Sequence, residues 1–166
     1  MNPQENSVVL VGATETIVEE TKVAEETKVE TIVETEKKET CNLSNKTACK
    51  VYLRGLELGL TKEQSLIATA ISVHETGWFK SKLYKNKNNF GGITAKKGFA
   101  SYSTNEEGLD TFLTLLKKYY FGKGLNTIEK IGAKYCPVGA KNDPKGINKN
   151  WVRVVTSLYN QFTKQV

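Results

Sequence analysis

The chain has 166 residues, 39% apolar, 9% aromatic and 25% charged, which allows one domain of ordinary size with a core of its own and some length to spare. Its formal charge of +6 averages two unlike parts: residues 1–40 hold ten Glu and four Lys, whereas residues 41–166 hold eight acids and twenty bases. No apolar run approaches the roughly 20 residues that span a bilayer, and the short apolar stretch SVVLVG at 7–12 has no basic residue before it, so neither a membrane span nor a secretory signal is expected.

Residues 13–40 use only Glu, Thr, Lys, Val, Ile and Ala, and TIVEETKV at 16–23 returns as TIVETEKK at 31–38. The apolar positions follow neither a period of two nor a sustained heptad, so they define no buried face. An acidic, low-complexity tail is expected over residues 1–44, solvated or, as the functional alternative, a tether to a larger assembly. Cys41, Cys49 and Cys136 show neither CxxC nor metal-ligand spacing, and the odd count leaves one unpaired. Inert thiols are therefore expected rather than a disulfide framework.

The folded domain is expected over residues 45–166. Ala48, Val51, Tyr52, Gly55 and Leu56 recur at helical spacing, and Gly59 closes that element. Thr61 and Gln64 form a capping box opening a helix with Ile67, Ala70, Ile71 and His74 on one face, which stops at Gly77. Ile93 and Thr94, a turn at Lys97 and Gly98, and residues 99–102 read as a small β-hairpin. A helix after Ser103 or Thr104 carries Leu109, Phe112, Leu113, Leu116 and Tyr120 on one face. Residues 126–134 make a short helix that ends before Pro137. The last helix has Trp151, Val154, Val155, Leu158 and Phe162 at helical spacing. The fold class is α+β, mostly α.

Between residues 64 and 105 the only carboxylate is Glu75, at the end of a largely apolar helix and just before Gly77 and Trp78. The negative end of the helix dipole and burial both favour its protonated form, the state a general acid needs. A surface Glu ending an amphipathic helix is the plain alternative. The lone His74 has no second His or Cys placed to share a metal and reads as a packed structural residue. No phosphate-binding Gly loop or Ser/Cys–His pair is present, so neither a cofactor nor a metal is expected.

The run HETGWFKSKLYKNKNNFGGI at 74–93 resembles the catalytic signature of the glucosaminidase-type peptidoglycan hydrolases, glycoside hydrolase family 73. The likeness continues through Ser101, Tyr102 and Ser103 with Glu106, and through Tyr135, Cys136 and Pro137. It implies a lysozyme-like domain that cuts the β-1,4 bond between N-acetylglucosamine and N-acetylmuramic acid, with Glu75 as general acid. Glu106 falls where many family members have a second glutamate, but Ser103 and Glu106, like Thr104 and Glu107, also read as capping boxes. Without Glu106, the substrate's own 2-acetamido group is the nucleophile. Tyr135 resembles the family's tyrosine near the acid, with core packing beside Trp151 as the alternative. The same resemblance assigns Trp78, Asn89, Phe90, Gly91, Gly92 and Tyr102 to substrate binding; Trp78, Phe79 and Tyr84 are candidate sugar platforms or core.

The basic domain is rich in Lys rather than in the Arg–aromatic mixture of base readers, so no nucleic acid is expected as partner. The charge then reads either as simple solubility or as attraction to a polyanionic bacterial envelope, the reading that fits bacterial peptidoglycan and anionic wall polymers as partners. A wall-acting enzyme without a secretory signal suggests a phage lysin, released at lysis or carried in the virion and held to other virion proteins through the tail. The other readings are a lytic transglycosylase or muramidase of the same fold, and a non-catalytic glycan-binding or virion structural domain.

Overall fold

The computed structural model describes residues 39–141, 143 and 145–166; the repeated acidic segment lies outside them. Six α-helices follow one another: α1 (Lys46–Glu57), α2 (Lys62–Thr76), α3 (Lys82–Lys87), α4 (Asn105–Tyr119), α5 (Ile128–Tyr135) and α6 (Trp151–Thr163). Between α3 and α4 a two-stranded antiparallel hairpin pairs β1 (Thr94–Ala95) with β2 (Gly98–Phe99), Thr94 opposite Phe99. The fold is mostly α with a small β part, as expected.

Local chemistry sets the helix ends. Asn45 caps α1 by accepting from the backbone N–H groups of Thr47 and Ala48, which leaves fewer orphan donors in the first turn. Thr61 and Gln64 form the expected capping box of α2, and Gly77 ends that helix in the left-handed region at φ 54°. Thr104 caps α4 through the N–H of Glu107, whose own carboxylate accepts from the N–H of Ser103. Two short 3-10 turns, Phe121–Lys123 and Ile147–Asn150, lead towards α5 and into α6.

The expected one-sided face of α2 is too narrow. Ser65 through Val73 are all buried, because α1 packs on one side of the helix and α6 on another. Its polar residues are satisfied internally: Thr69 and Thr76 hydroxyls donate to the carbonyls four residues earlier, and Ser65 donates to the Tyr52 carbonyl of α1. Phe112, Leu113 and Leu116 of α4 and Val155 and Phe162 of α6 complete the core around it.

Two further expectations are corrected. Cys41 and Cys49 form a disulfide, because the tight Asn45 cap folds the preceding chain back over the first turn of α1 and brings the two Cα atoms to 5.6 Å. Only Cys136 is free. The residues just before Asn45 are held as well: Leu43 is buried and Glu39 pairs with Lys62 at 2.8 Å. The hairpin is shorter than expected, with its turn at Lys96 and Lys97 and all four strand residues exposed.

Candidate active site

Glu75 lies in the last turn of the most buried helix, and its neighbours come from three other elements. The indole N–H of Trp151, the first residue of α6, donates to Glu75 Oε1 at 2.8 Å. The turn after α3 approaches the other carboxylate oxygen, and a Cβ built on Gly92 would stand 3.0 Å from Glu75 Oε2. Tyr135, the last residue of α5, stacks on Trp151 with ring centroids 5.7 Å apart and donates its hydroxyl to the Gly91 carbonyl. Burial raises the Glu75 pKa above the usual carboxylate range, and the Trp151 donor pulls it partly back. Burial, reinforced by the Glu75 charge, holds the Tyr135 phenol well above its usual range, so it acts as a neutral donor.

The turn at residues 88–92 is built by its asparagines. Asn88 takes a left-handed conformation at φ 50° and donates its amide to the Tyr102 carbonyl. The buried Asn89 amide donates to the carbonyls of Ile93 and Ala100, and its oxygen accepts from the N–H groups of Gly91 and Ile93. One side chain thus folds the turn and ties it to the hairpin. Ser72 of α2 donates to the Phe90 carbonyl at 2.8 Å, fixing the turn to the helix that carries Glu75. Gly91 has no room for a side chain, since a Cβ there would meet the Phe112 ring and lie 2.7 Å from the Tyr135 hydroxyl oxygen.

Gly91, Gly92, Thr94, Tyr120 and Tyr135 line a cavity of about 230 Å³. A larger cavity of about 630 Å³ lies on the α1 and α4 side, walled by Leu53, Lys50, Arg54 and Glu106. Of these two, the smaller is the one whose wall includes Gly92, the residue beside the partly buried Glu75 carboxyl.

The structure therefore brings Glu75, Gly91, Gly92 and Tyr135 together. It does not bring Glu106 to them: this exposed carboxylate pairs with Lys50 at 2.7 Å, and that ammonium holds it below the usual carboxylate range. Thr104 and Glu107 do the capping instead. Asn89 and Phe90 are fully buried, so their side chains shape the turn rather than face a ligand. Phe90 packs edge-on to Tyr84 and against Phe79. Trp78, at φ 59°, sets its ring against Phe162 of α6, and Phe79 follows at φ 62°. Tyr102, half-buried, is anchored by its backbone to Lys87 and Asn88. His74 is set edge-on to Trp151, and burial pushes its pKa down, as expected of a packed neutral imidazole.

The remaining carboxylates of the described residues are engaged or exposed elsewhere. Asp110 and Glu57 pair with Arg54. Asp143 accepts from the N–H groups of Ile147 and Asn148. Glu63 and Glu129 are exposed. Sequence reasoning missed the role of Trp151, which it placed in the core of the last helix. The available signal was chemical: a buried tryptophan needs an acceptor for its N–H, and the middle of the chain has one carboxylate to offer.

Residues 60–164 match the glucosaminidase family, described as mannosyl-glycoprotein endo-beta-N-acetylglucosaminidase. No curated protein matches the chain.

Proposed function

The chain belongs to the glucosaminidase family, and from that premise we propose that it hydrolyses the β-1,4 bond between N-acetylglucosamine and N-acetylmuramic acid in bacterial peptidoglycan, with Glu75 as general acid. The family makes it a glycosidase; the observation that carries the assignment of the acid is the partly buried, desolvated Glu75 carboxyl beside Gly92, which offers no side chain there. Desolvation keeps such a carboxyl protonated to higher pH than a surface one, so it has a proton to give when the glycosidic oxygen departs.

A second carboxylate is needed only if the protein supplies the nucleophile or base. Because Glu106 is occupied by Lys50 outside this cavity, we assign the attack on the anomeric carbon to the substrate's 2-acetamido oxygen. Tyr135, whose hydroxyl is committed to the Gly91 carbonyl, positions that group indirectly, by fixing the glycine wall of the cavity it lines. The twelve-charge excess of bases over acids in residues 41–166 draws the domain to anionic wall polymers, an attraction that salt screens.

Glu75→Gln tests the reading. The variant is expected to fold, to lose clearing of purified walls by at least about a hundred-fold, and to remain bound to walls at low salt but not at high salt. Wild-type digests are expected to release new reducing-end N-acetylglucosamine. Retained clearing by the variant removes Glu75 as the acid. Reducing-end muramic acid or 1,6-anhydro ends replace the glucosaminidase assignment by a muramidase or a transglycosylase.

A further inference from the structure

Trp151 is tied to the site more closely than packing requires. Its indole is 2% exposed and is confined on three sides. Tyr135 stacks on one face, His74 meets its edge, and a Cβ on Gly132 of α5 would come within 3.1 Å of its ring carbons. The start of α6 is itself anchored. The Asp143 carboxylate accepts from the N–H groups of Ile147 and Asn148, and the Asn148 amide donates to the Pro137 carbonyl beyond α5. The ring therefore has a fixed place, and its one polar group points at Glu75 Oε1.

We propose that Trp151 is a positioning residue for glycoside cleavage: by engaging Oε1 of Glu75 it leaves Oε2, the oxygen on the Gly92 side, as the one that carries and delivers the proton. This rests on the assignment of Glu75 as general acid. An indole N–H only donates, so the oxygen it faces is held as the acceptor and the acidic hydrogen falls to the other oxygen. Gly92 leaves the space beside Oε2 free of a side chain. In the step itself the Oε2–H bond breaks as a bond forms from that hydrogen to the glycosidic oxygen. The electron pair of the cleaved carbon–oxygen bond stays with the departing oxygen, which leaves as a hydroxyl, while the acetamido oxygen bonds to the anomeric carbon. Glu75 is left as a carboxylate, and the Trp151 N–H, already in place, stabilises the new charge without reorganisation. Water then opens the acetamido adduct, giving a proton back to Oε2.

The other titratable groups around this carboxyl are His74 on α2, Tyr135 on α5 and Cys136 after it. His74 is pushed down by burial, and Tyr135 and Cys136 are pushed up, Cys136 to about 11. With the imidazole pushed towards its neutral form and the phenol and thiol held towards their protonated forms, Glu75 is the group of these four whose change of charge the following measurements read.

Trp151→Phe keeps a ring for Tyr135 and removes the N–H. On purified peptidoglycan, kcat is expected to fall about ten-fold with KM little changed, the effect of losing one hydrogen bond to a charged group. The alkaline limb of the kcat profile is expected to move to higher pH, because the carboxylate has lost a donor. A limb that stays in place, whatever the loss of rate, overturns the proposal and leaves Trp151 as packing. A second measurement needs no change at Trp151. Its indole N–H resonance, distinguished from that of Trp78 by Trp78→Phe, is expected to shift with the ionisation of Glu75 and to be pH-independent through that range in Glu75→Gln. A wild-type resonance that ignores pH also overturns the proposal, and it decides the matter if Trp151→Phe does not fold. Failure of the parent reading looks different: there, Glu75→Gln itself still clears walls.

Discussion

The Tyr135 hydroxyl joins two surfaces at the scale of a single side chain. It donates to the Gly91 carbonyl while its ring lies on Trp151, so it couples the glycine wall of the cavity to the indole that hydrogen-bonds Glu75. Tyr135→Phe removes the first contact and keeps the second. The expected result is a folded protein with a thermal midpoint within a few degrees of wild type and a kcat on peptidoglycan about ten- to a hundred-fold lower. An unchanged kcat would show that the phenol only packs. Glu106 invites the opposite expectation, since removing an exposed partner of Lys50 changes neither the Gly91 and Gly92 cavity nor the Glu75 carboxyl.

At the scale of elements, the close approach of α4 to the residue 88–92 turn deserves its own test. Gly108 of α4 faces the Asn88 backbone so closely that a Cβ there would run into the Asn88 carbonyl. Backbone cannot step aside as a flexible side chain can, so Gly108→Ala is expected to cost on the order of 2 kcal/mol in urea unfolding and to displace the turn that presents Gly91 and Gly92. The helix starts and stops behind this geometry were legible in the sequence, because Thr61 with Gln64, Thr104 and Gly77 act on backbone within four residues of themselves. Glu75 was legible for a related reason: a lone carboxylate at the end of an apolar helix stands out locally. What escaped depends on distance along the chain. Trp151 meets Glu75 across 76 residues. The Cys41–Cys49 bridge depends on how the Asn45 cap turns the chain. The full burial of α2 follows from packing on two sides, which periodicity within one helix does not report. Helix α3 passed unremarked because its six residues carry no buried stripe, being held instead by the Ser81 cap and the left-handed Asn88.

For the whole molecule, stability responds to pH through two opposite kinds of carboxyl. Asp110 is held below the usual carboxylate range by its hydrogen bonds with Arg54, which join α1 to α4. Its contribution to stability is present above the unfolded pKa and is lost as pH falls through the depressed folded value, and partial exposure makes it modest. Glu75 is raised by burial, so its contribution is complete below the unfolded pKa and is lost as pH rises through the folded value. Urea unfolding at a series of pH values is therefore expected to show stability falling at both ends, and Glu75→Gln is expected to flatten the fall on the neutral side while leaving the acid side. Identical curves for the two proteins would mean that Glu75 is not held protonated by the fold. The burial of α2 also fixes a clock. Ten of its fifteen residues are buried, so their amide hydrogens exchange with solvent only when the whole domain opens, whereas the exposed hairpin pairing Thr94 with Phe99 exchanges through local opening. The helix that carries Glu75 and the hairpin beyond the residue 88–92 turn are thus expected to keep different times, the first exchanging with the slow opening of the whole domain and the second with the fast fraying of two short strands.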